Sequence, residues 1–405
     1  MLRFEVHSHT MYSNIRLLDC INRPKLLVDR AVSLGLAGIA ITDHECLSAH
    51  PEVNIYYNDV IKKEHPEFKV ALGNEIYLCP DRSKDQSFYH FILIAKNQTG
   101  HRALRELSST AWMNIFETKR MERVVTTYDD LESIVKKYPG SLIATTACIG
   151  GEVSKQTLAL INAEAAGDTR AQDAARNDIG NFILKCKEWF GEDFYIECAP
   201  ANNREQNIVN ERLVSIAKFF GVKMVIGTDA HYLKKEDRYV HKAYLASKNG
   251  EREIDKFYEF AYLQSEDEIK ENLNISDKYE ELCANSIEIF NKIEVWDMRH
   301  PQQIPKVEVE DFPQVYWSGW FQNPDDRPSV KYPTLYDMYK SENKVERCWV
   351  NKCVNKLREL GKDDDVYLSR LEEEARVKKI IGEKLQTNMF SYPLTLQHYC
   401  DLFLF

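Results

Sequence analysis

The sequence predicts an α/β fold with mostly parallel strands, followed by a mostly helical C-terminal region, and three observations predict it. From residue 1 to about 245, short β-rich runs alternate with amphipathic helical stretches. Metal-competent His, Asp, Glu and Cys side chains recur at or near the ends of those runs, where barrels of alternating strands and helices gather their chemistry. Beyond about residue 250 the texture changes to charged helical segments around a proline-rich stretch.

The expected strands are Phe4–His7, Gly38–Thr42, Val70–Glu75, His90–Ala95, Leu142–Thr145, Phe194–Glu197 and Met224–Gly227. Between them, Pro24–Leu34 puts Leu26, Leu27, Ala31 and Val32 on one helical face, with Asn22 as its N-cap. Arg102–Met113, Asp173–Phe190 and Asn207–Phe220 read in the same way. Further on, Ser265-Glu266-Asp267-Glu268 caps and opens a helix, and a second covers Asp277–Phe290. Residues 301–334 hold six prolines and little periodicity, which predicts an extended connector. Glu342–Leu360 and Tyr367–Leu385 are helical and charged, and the apolar Met389-Phe390-Ser391-Tyr392-Pro393-Leu394 runs on toward Phe405. The expected organisation is residues 1–250, a helical extension 251–300, the connector 301–334 and helices over 335–405.

At about 150 residues per domain, 405 residues predict two or three domains. With 44% apolar and 29% charged residues and only 16 Gly and 13 Pro, disordered and collagen-like classes are excluded. A net charge of −10 excludes a protein that coats nucleic acid through bulk positive charge, so any DNA contact must use a local patch. The longest apolar stretch, Leu34 to Ile41, falls far short of the roughly 20 residues of a membrane span. Met1 to His9 enters a strand without a signal-peptide core, so a cytosolic setting without membrane partners is expected. Ten scattered cysteines with no C-x-x-C pair read as buried thiols.

Three clusters carry chemistry. His7-Ser8-His9 at a strand end puts two imidazoles on one side of an extended backbone, so both can grip one cation. Asp43-His44 follows the apolar run 38–42, and Asp229-Ala230-His231 follows 224–228, each pairing a carboxylate with an imidazole. A lone H-x-H is weak; three clusters, each after a strand, point strongly to borderline-hard divalent ions. Cys148 alone reads as a buried thiol and His90, inside an apolar run, as a core histidine. His50, His65, His101, His241, His300 and His398 carry no motif, and Lys119-Arg120-Met121-Glu122-Arg123 reads as a solvated helix face.

These residues resemble a known family, the polymerase-and-histidinol-phosphatase (PHP) domain and adjoining N-terminal part of the bacterial and phage DNA polymerase III alpha subunit. The resemblance rests on His7-Ser8-His9-Thr10, Tyr12-Ser13, Leu17-Leu18-Asp19, Ala40-Ile41-Thr42-Asp43-His44, Gly73-Asn74-Glu75-Ile76-Tyr77 and Tyr89-His90-Phe91-Ile92-Leu93-Ile94-Ala95. It continues through Ala147-Cys148-Ile149-Gly150-Gly151-Glu152 and Gly227-Thr228-Asp229-Ala230-His231-Tyr232-Leu233, and Tyr367-Leu368-Ser369-Arg370-Leu371-Glu372 is similar to the lead into the polymerase palm. One departure is Asn14-Ile15-Arg16, an insertion ahead of Asp19 that phage-borne relatives share, which suggests a phage origin and the cytoplasm of a bacterial host.

The resemblance implies a distorted seven-stranded barrel of PHP type. Its rim would hold up to three divalent ions, zinc, manganese or iron, on His7, His9, Asp19, His44, Glu75, His90, Cys148, Asp229 and His231. His9, Asp229 and His231 would serve catalysis as ligands rather than nucleophiles, and Asp43 would orient an imidazole from behind. The implied activity is metal-dependent phosphodiester hydrolysis, a 3′–5′ exonuclease acting on a DNA 3′ end beside the rest of a replicative polymerase. A small-molecule phosphatase or pyrophosphatase is the second reading, and a non-catalytic, metal-stabilised scaffold for polymerase assembly the third. The carboxylates of a polymerase palm follow the helical stretch in this family and are absent from these residues. The purified chain is therefore expected to give no templated primer extension; measurable nucleotide incorporation in a primer-extension assay would contradict this.

Overall fold

The computed structural model describes residues 3–83, 87–117, 122–247, 258–301, 309, 328–385 and 388–390. It divides into two units, Met1–Arg299 and His300–Phe405.

The first unit is wound around one sheet. Its strands are β1 (Phe4–Glu5), β2 (Gly38–Ile41), β3 (Lys69–Cys79), β4 (Tyr89–Ala95), β5 (Phe116–Glu117), β6 (Glu122–Arg123), β7 (Thr126–Thr127), β8 (Leu142–Thr145), β9 (Phe194–Cys198) and β10 (Lys223–Ile226). All seven runs expected from the sequence are strands. The short β5, β6 and β7 carry too few residues to show a period. Arg123, expected on a helix face, instead pairs with Phe116 across β5 and β6, and residues 118–121 lie outside the described residues.

The sheet order is β1-β2-β3-β4-β8-β9-β10, with β7 beside β3. Strands β1, β2 and β3 are parallel, as are β8, β9 and β10, while β4 runs antiparallel to both of its neighbours, β3 and β8. The path nearly closes into a barrel. Beyond β1 and β10, Ser8 bridges Ala230 in parallel, and the His9 amide donates to the Ala230 carbonyl at 3.0 Å. The Asn22 side chain donates to the carbonyls of both His9 and Ala230, 3.0 Å each, and clips this seam. The expected N-cap role of Asn22 is thereby corrected. The helix Pro24–Ser33 starts after Arg23 without a side-chain cap, its proline supplying the preset φ.

Strands buried on both faces read as continuous apolar runs, and β2 (GIAI) and β8 (LIAT) are buried throughout. Inside the barrel lie Phe4, Ala40, Ala71, Ile92, Ile143, Tyr195 and Val225. Outside it, helices Gln98–Met113, Thr169–Phe190 and Arg204–Phe220 lay Leu104, Phe182, Ile183 and Leu213 against Phe91, Leu93 and Ile196. Ser265 caps its helix as expected, in a reciprocal box with Glu268. The helix Tyr279–Lys292 seals the barrel floor. Phe4 N donates to Ser286 Oγ at 3.0 Å, Asn285 donates to the Met224 carbonyl at 2.8 Å, and Lys69 Nζ reaches the carbonyls of Phe290 and Ile293. All three contacts meet the beginnings of parallel strands, so only the opposite rim stays open.

In the second unit, helices Pro333–Lys340, Lys344–Glu359 and Asp365–Leu385 enclose Leu335, Met338, Trp349, Val350, Val354 and Leu368. The amides of Thr334 and Leu335 both donate to Glu372 at 2.8 Å. Of the expected connector, residues 302–308 and 310–327 lie outside the described residues, as does the apolar run beyond Phe390, while its C-terminal end is helical rather than extended, over Pro328–Lys331 and again from Pro333. Among the described residues, no helix is long and apolar enough to cross a membrane and the cysteines are free thiols.

A Cβ at Gly38 would overlap the Lys69 carbonyl and touch the Phe4 ring, whereas one at Gly180 meets only Phe220 at 3.6 Å. Gly38→Ala is expected to force β2 from β3 and cost on the order of 1–3 kcal/mol, and Gly180→Ala to gain roughly 0.5–1 kcal/mol from helix propensity, both read from urea midpoints.

Candidate metal centre

The open rim collects side chains from every strand of the sheet path. His7 and His9 follow β1, His44 follows β2, Glu75 lies within β3, His90 opens β4, Cys148 follows β8, Glu197 lies in β9, and Asp229 and His231 follow β10. Because β4 runs antiparallel, its first residues stand beside the last residues of the parallel strands, which explains why a histidine at a strand start shares the rim. Among the described residues, the non-glycine positions with positive φ are Glu45 (45°), Ala147 (57°) and Asp229 (48°), each at or next to a rim residue. Strained backbone of this kind persists where surrounding contacts over-determine it, and it clusters at functional sites.

The structure brings all nine sequence-predicted residues together. Three compact groups form: His7, His9 and Glu75; Glu75, His90 and Cys148; and His9, His44 and His231. His9 and Glu75 each belong to two. Nε2 of His7 and Nε2 of His9 are 3.0 Å apart, and Asp229 Oδ1 lies 3.3 and 3.1 Å from them. Glu75 Oε1 lies 3.4 Å from His7 and 2.8 Å from His90, and its Oε2 lies 3.5 Å from His9 and touches His44 Nδ1. Cys148 Sγ is 3.6 Å from His90 Nδ1. Asp19 Oδ2 stands 3.5 Å from His44 Nε2 and 3.4 Å from His231 Nε2.

The outer partners of the imidazoles decide what their inner nitrogens can do. His7 Nδ1 faces Glu197 Oε1 at 2.7 Å, and His231 Nδ1 faces the Asp229 carbonyl at 2.8 Å. His9 Nδ1 faces Ser13 Oγ at 3.0 Å, and that hydroxyl donates to Asp43 at 2.7 Å, which leaves it free to accept from the ring. Assigning the ring protons to satisfy these acceptors leaves an Nε2 lone pair on each of the three rings, aimed into the cluster. Burial, reinforced by neighbouring His44 and His231, lowers the pKa of His9 to about 3, so this ring is a neutral donor. Burial alone would raise the Asp229 carboxyl, but positive charge on His7 and His231, where those rings are protonated, holds it well below the usual carboxylate range.

Such a set fits divalent cations. Asp19 Oδ1, both nitrogens of His44, both oxygens of Glu75, Asp229 Oδ1 and His231 Nε2 are buried without a partner in hydrogen-bond geometry, although Glu75 lies at ion-pair distance from His44 and His90. Leaving a buried polar group unsatisfied costs about 1–3 kcal/mol, more when charged, and here the lone pairs also face one another. Most donor separations of 3.0–3.5 Å equal the edges of a coordination shell with bonds of about 2.0–2.2 Å.

Sequence reasoning missed the supporting residues. Glu197 could have been found as an acid inside a buried apolar strand, the signal that also marks Glu75. Ser13, and Tyr258, whose hydroxyl donates to Asp19 at 2.8 Å, carry no local signal. The insertion acts on Asp19 directly: Asn14 Oδ1 accepts from the amides of Asp19 and Cys20 at 3.0 Å, and its Nδ2 donates to the Cys20 carbonyl at 2.7 Å. Asp43 needs a correction. It holds no imidazole itself but accepts from the Thr10 amide and hydroxyl and from Ser13, so it reaches His9 through one hydroxyl. The intervening turn, Met11–Ile15, places Ser13 between them.

With this geometry in view, the class is defined: residues 5–201 match the PHP domain family, and the chain carries a PHP domain. Asp229 and His231 lie beyond the matched span and are joined to it by barrel closure. Over 98% of its length the chain is 38% identical to the DNA-directed DNA polymerase of Bacillus phage SPbeta, and the YorL protein of Bacillus subtilis (strain 168) matches equally. The DNA polymerase III subunit alpha of Borreliella burgdorferi is 29% identical over 74% of this chain and 24% of its own length. The chain spans about a third of the length of its first two relatives, 31% in each case. Among solved structures, an amidohydrolase from Chromobacterium violaceum aligns over 56% of this chain and 87% of its own, at 14% identity and a TM-score of 0.33, a likeness that adds no weight.

Glu197→Gln keeps the size of the side chain and removes the charge behind His7. It is expected to weaken zinc binding about 10–100-fold by titration calorimetry while leaving the circular dichroism of the fold intact.

Proposed function

We propose that this chain is the metal-dependent phosphoesterase module of a DNA polymerase III alpha-like replicative polymerase, working as a 3′–5′ exonuclease on DNA ends. One observation carries the reading: metal-competent donors on or after six of the seven strands of the barrel path, all but β9, converge on one rim, and those of Asp19, His44, Glu75, Asp229 and His231 include buried atoms without a hydrogen-bond partner. His7, His9, Glu75 and Asp229 would hold one cation, Glu75, His90 and Cys148 a second, and His9, Asp19, His44 and His231 a third, with zinc, manganese and iron all suited to these donors.

Bound divalent ions supply a water of lowered pKa and neutralise charge on a phosphoryl oxygen. The protein's own part is to hold the donors. Glu197 and the Ser13–Asp43 pair fix the rings of His7 and His9, while Tyr258 and Asn14 fix Asp19. His9, Asp229 and His231 thus serve catalysis through position and charge, and no side chain need act as nucleophile. Within the expected helical extension, the helix Tyr279–Lys292 closes the barrel floor while Tyr258 stands at the rim, and residues 335–405 would lead toward a polymerase palm supplied by further sequence. A phage-encoded protein working in the bacterial cytoplasm fits the relatives. A preference for small phosphate esters is disfavoured because the rim opens into a wide cleft rather than a closed pocket.

The test uses 3′-labelled single-stranded DNA with manganese, before and after chelation. Labelled mononucleotide should be released, the release should stop on chelation, and His9→Ala should lower it at least 100-fold. No release, or release indifferent to His9→Ala, would refute the proposal.

A further inference from the structure

Beside the metal centre, a cleft of about 890 Å3 opens to solvent. Its lining includes His90, Cys148 and Asp229, whose buried Oδ1 has no hydrogen-bond partner. It also carries two exposed cations, Lys155 and Arg204, and the half-buried ring of Phe260. Many surface cations of this acidic chain are paired, as in Lys136–Glu132, Arg212–Glu164 and Lys223–Glu288. Lys155 instead reaches the Phe88 carbonyl at 3.2 Å and lies over the rings of Phe88 and Tyr89, and neither it nor Arg204 has a carboxylate partner among the described residues. Arg204 is the first residue of the helix Arg204–Phe220, so the positive end of a 17-residue helix also borders the cleft. Glu205 is the acidic residue of the same wall.

A small phosphate ester needs only the part of this space next to the donors. A polyanion reaching an acidic cluster, by contrast, needs positive charge along its approach, and cations whose charge no carboxylate neutralises supply it in a cleft. Stacking on an aromatic ring then holds any base without reading its identity. We infer that this cleft seats the single-stranded polynucleotide leading to the reacting phosphodiester, with Lys155 and Arg204 each taking a backbone phosphate and Phe260 stacking on a base. This rests on the phosphodiesterase reading above and names the residues that make a strand its substrate.

The test is fluorescence anisotropy of a fluorescein-labelled phosphorothioate oligo(dT) ten-mer with the full 405-residue chain, across a sodium chloride series. The double variant Lys155→Ala/Arg204→Ala should bind at least tenfold more weakly. The slope of log K against log salt should fall in magnitude by about 1.4, two single-strand phosphate contacts at roughly 0.7 each. The exchange Lys155→Arg/Arg204→Lys should keep the slope, and Phe260→Ala should weaken binding without changing it. An unaltered slope in the alanine variant, or equal loss in the exchange variant, overturns the inference. Strand binding that depends on both cations in a protein that releases no nucleotide would overturn the nuclease reading alone. Nucleotide release with binding indifferent to them would overturn this inference alone.

Discussion

Crowding of unsatisfied electron pairs at the open rim is the constraint from which the rest of this structure follows. Imidazole nitrogens and carboxylate oxygens sit 3.0–3.5 Å apart and out of water, an arrangement that hydrogen bonds within the cluster do not resolve. In a low-dielectric interior such facing lone pairs and like charges are expensive unless a cation lies between them. The supporting shell makes sense in this light. Glu197, Ser13 and the Asp229 carbonyl take the outer ring protons, so the inner nitrogens have no role left other than donation.

The fold serves that constraint by bringing both ends of the sheet to one place. Ser8 and Ala230 pair across the seam, and Asn22 binds both sides of it, so residues from the first and last strands of the barrel become neighbours. Glu5 reinforces the junction by accepting from the Thr228 amide and hydroxyl. At the other end, the helix Tyr279–Lys292 covers the strand starts with hydrogen bonds to β1, β3 and β10. Closing one end directs polar chemistry to the other, where loops have room to carry it.

Local strain is concentrated in the same region. Left-handed conformations at Glu45, Ala147 and Asp229 turn the chain sharply after β2, β8 and β10 and aim His44, Cys148 and Asp229 inward. A glycine would adopt these angles freely but would leave Asp229 without its carboxylate. The contacts around the rim therefore hold an L-residue where the backbone disfavours it. The insertion ahead of Asp19 works in a similar way, since Asn14 anchors the loop it lengthens and leaves the carboxylate facing His44 and His231.

By itself the sequence determined the alternation of strands and helices, the two-residue spacing that places His7 and His9 on one side, and the acid–imidazole pairs after β2 and β10. All of these are local, because side-chain period and apolar runs are written within a few residues. His90 and Cys148 could not be assigned from their own surroundings, where a core histidine and a buried thiol were the ordinary readings; the family resemblance singled them out. Only the tertiary structure decided that β4 runs backwards, which puts His90 on the rim, and that Glu197, Ser13 and Tyr258 stand behind the donors. It also moved Asn22 from a helix cap to the barrel seam and Asp43 from an imidazole to a hydroxyl. Strand direction, closure and hydrogen-bond partners are set between residues tens or hundreds of positions apart, and no pattern along the chain records such distances.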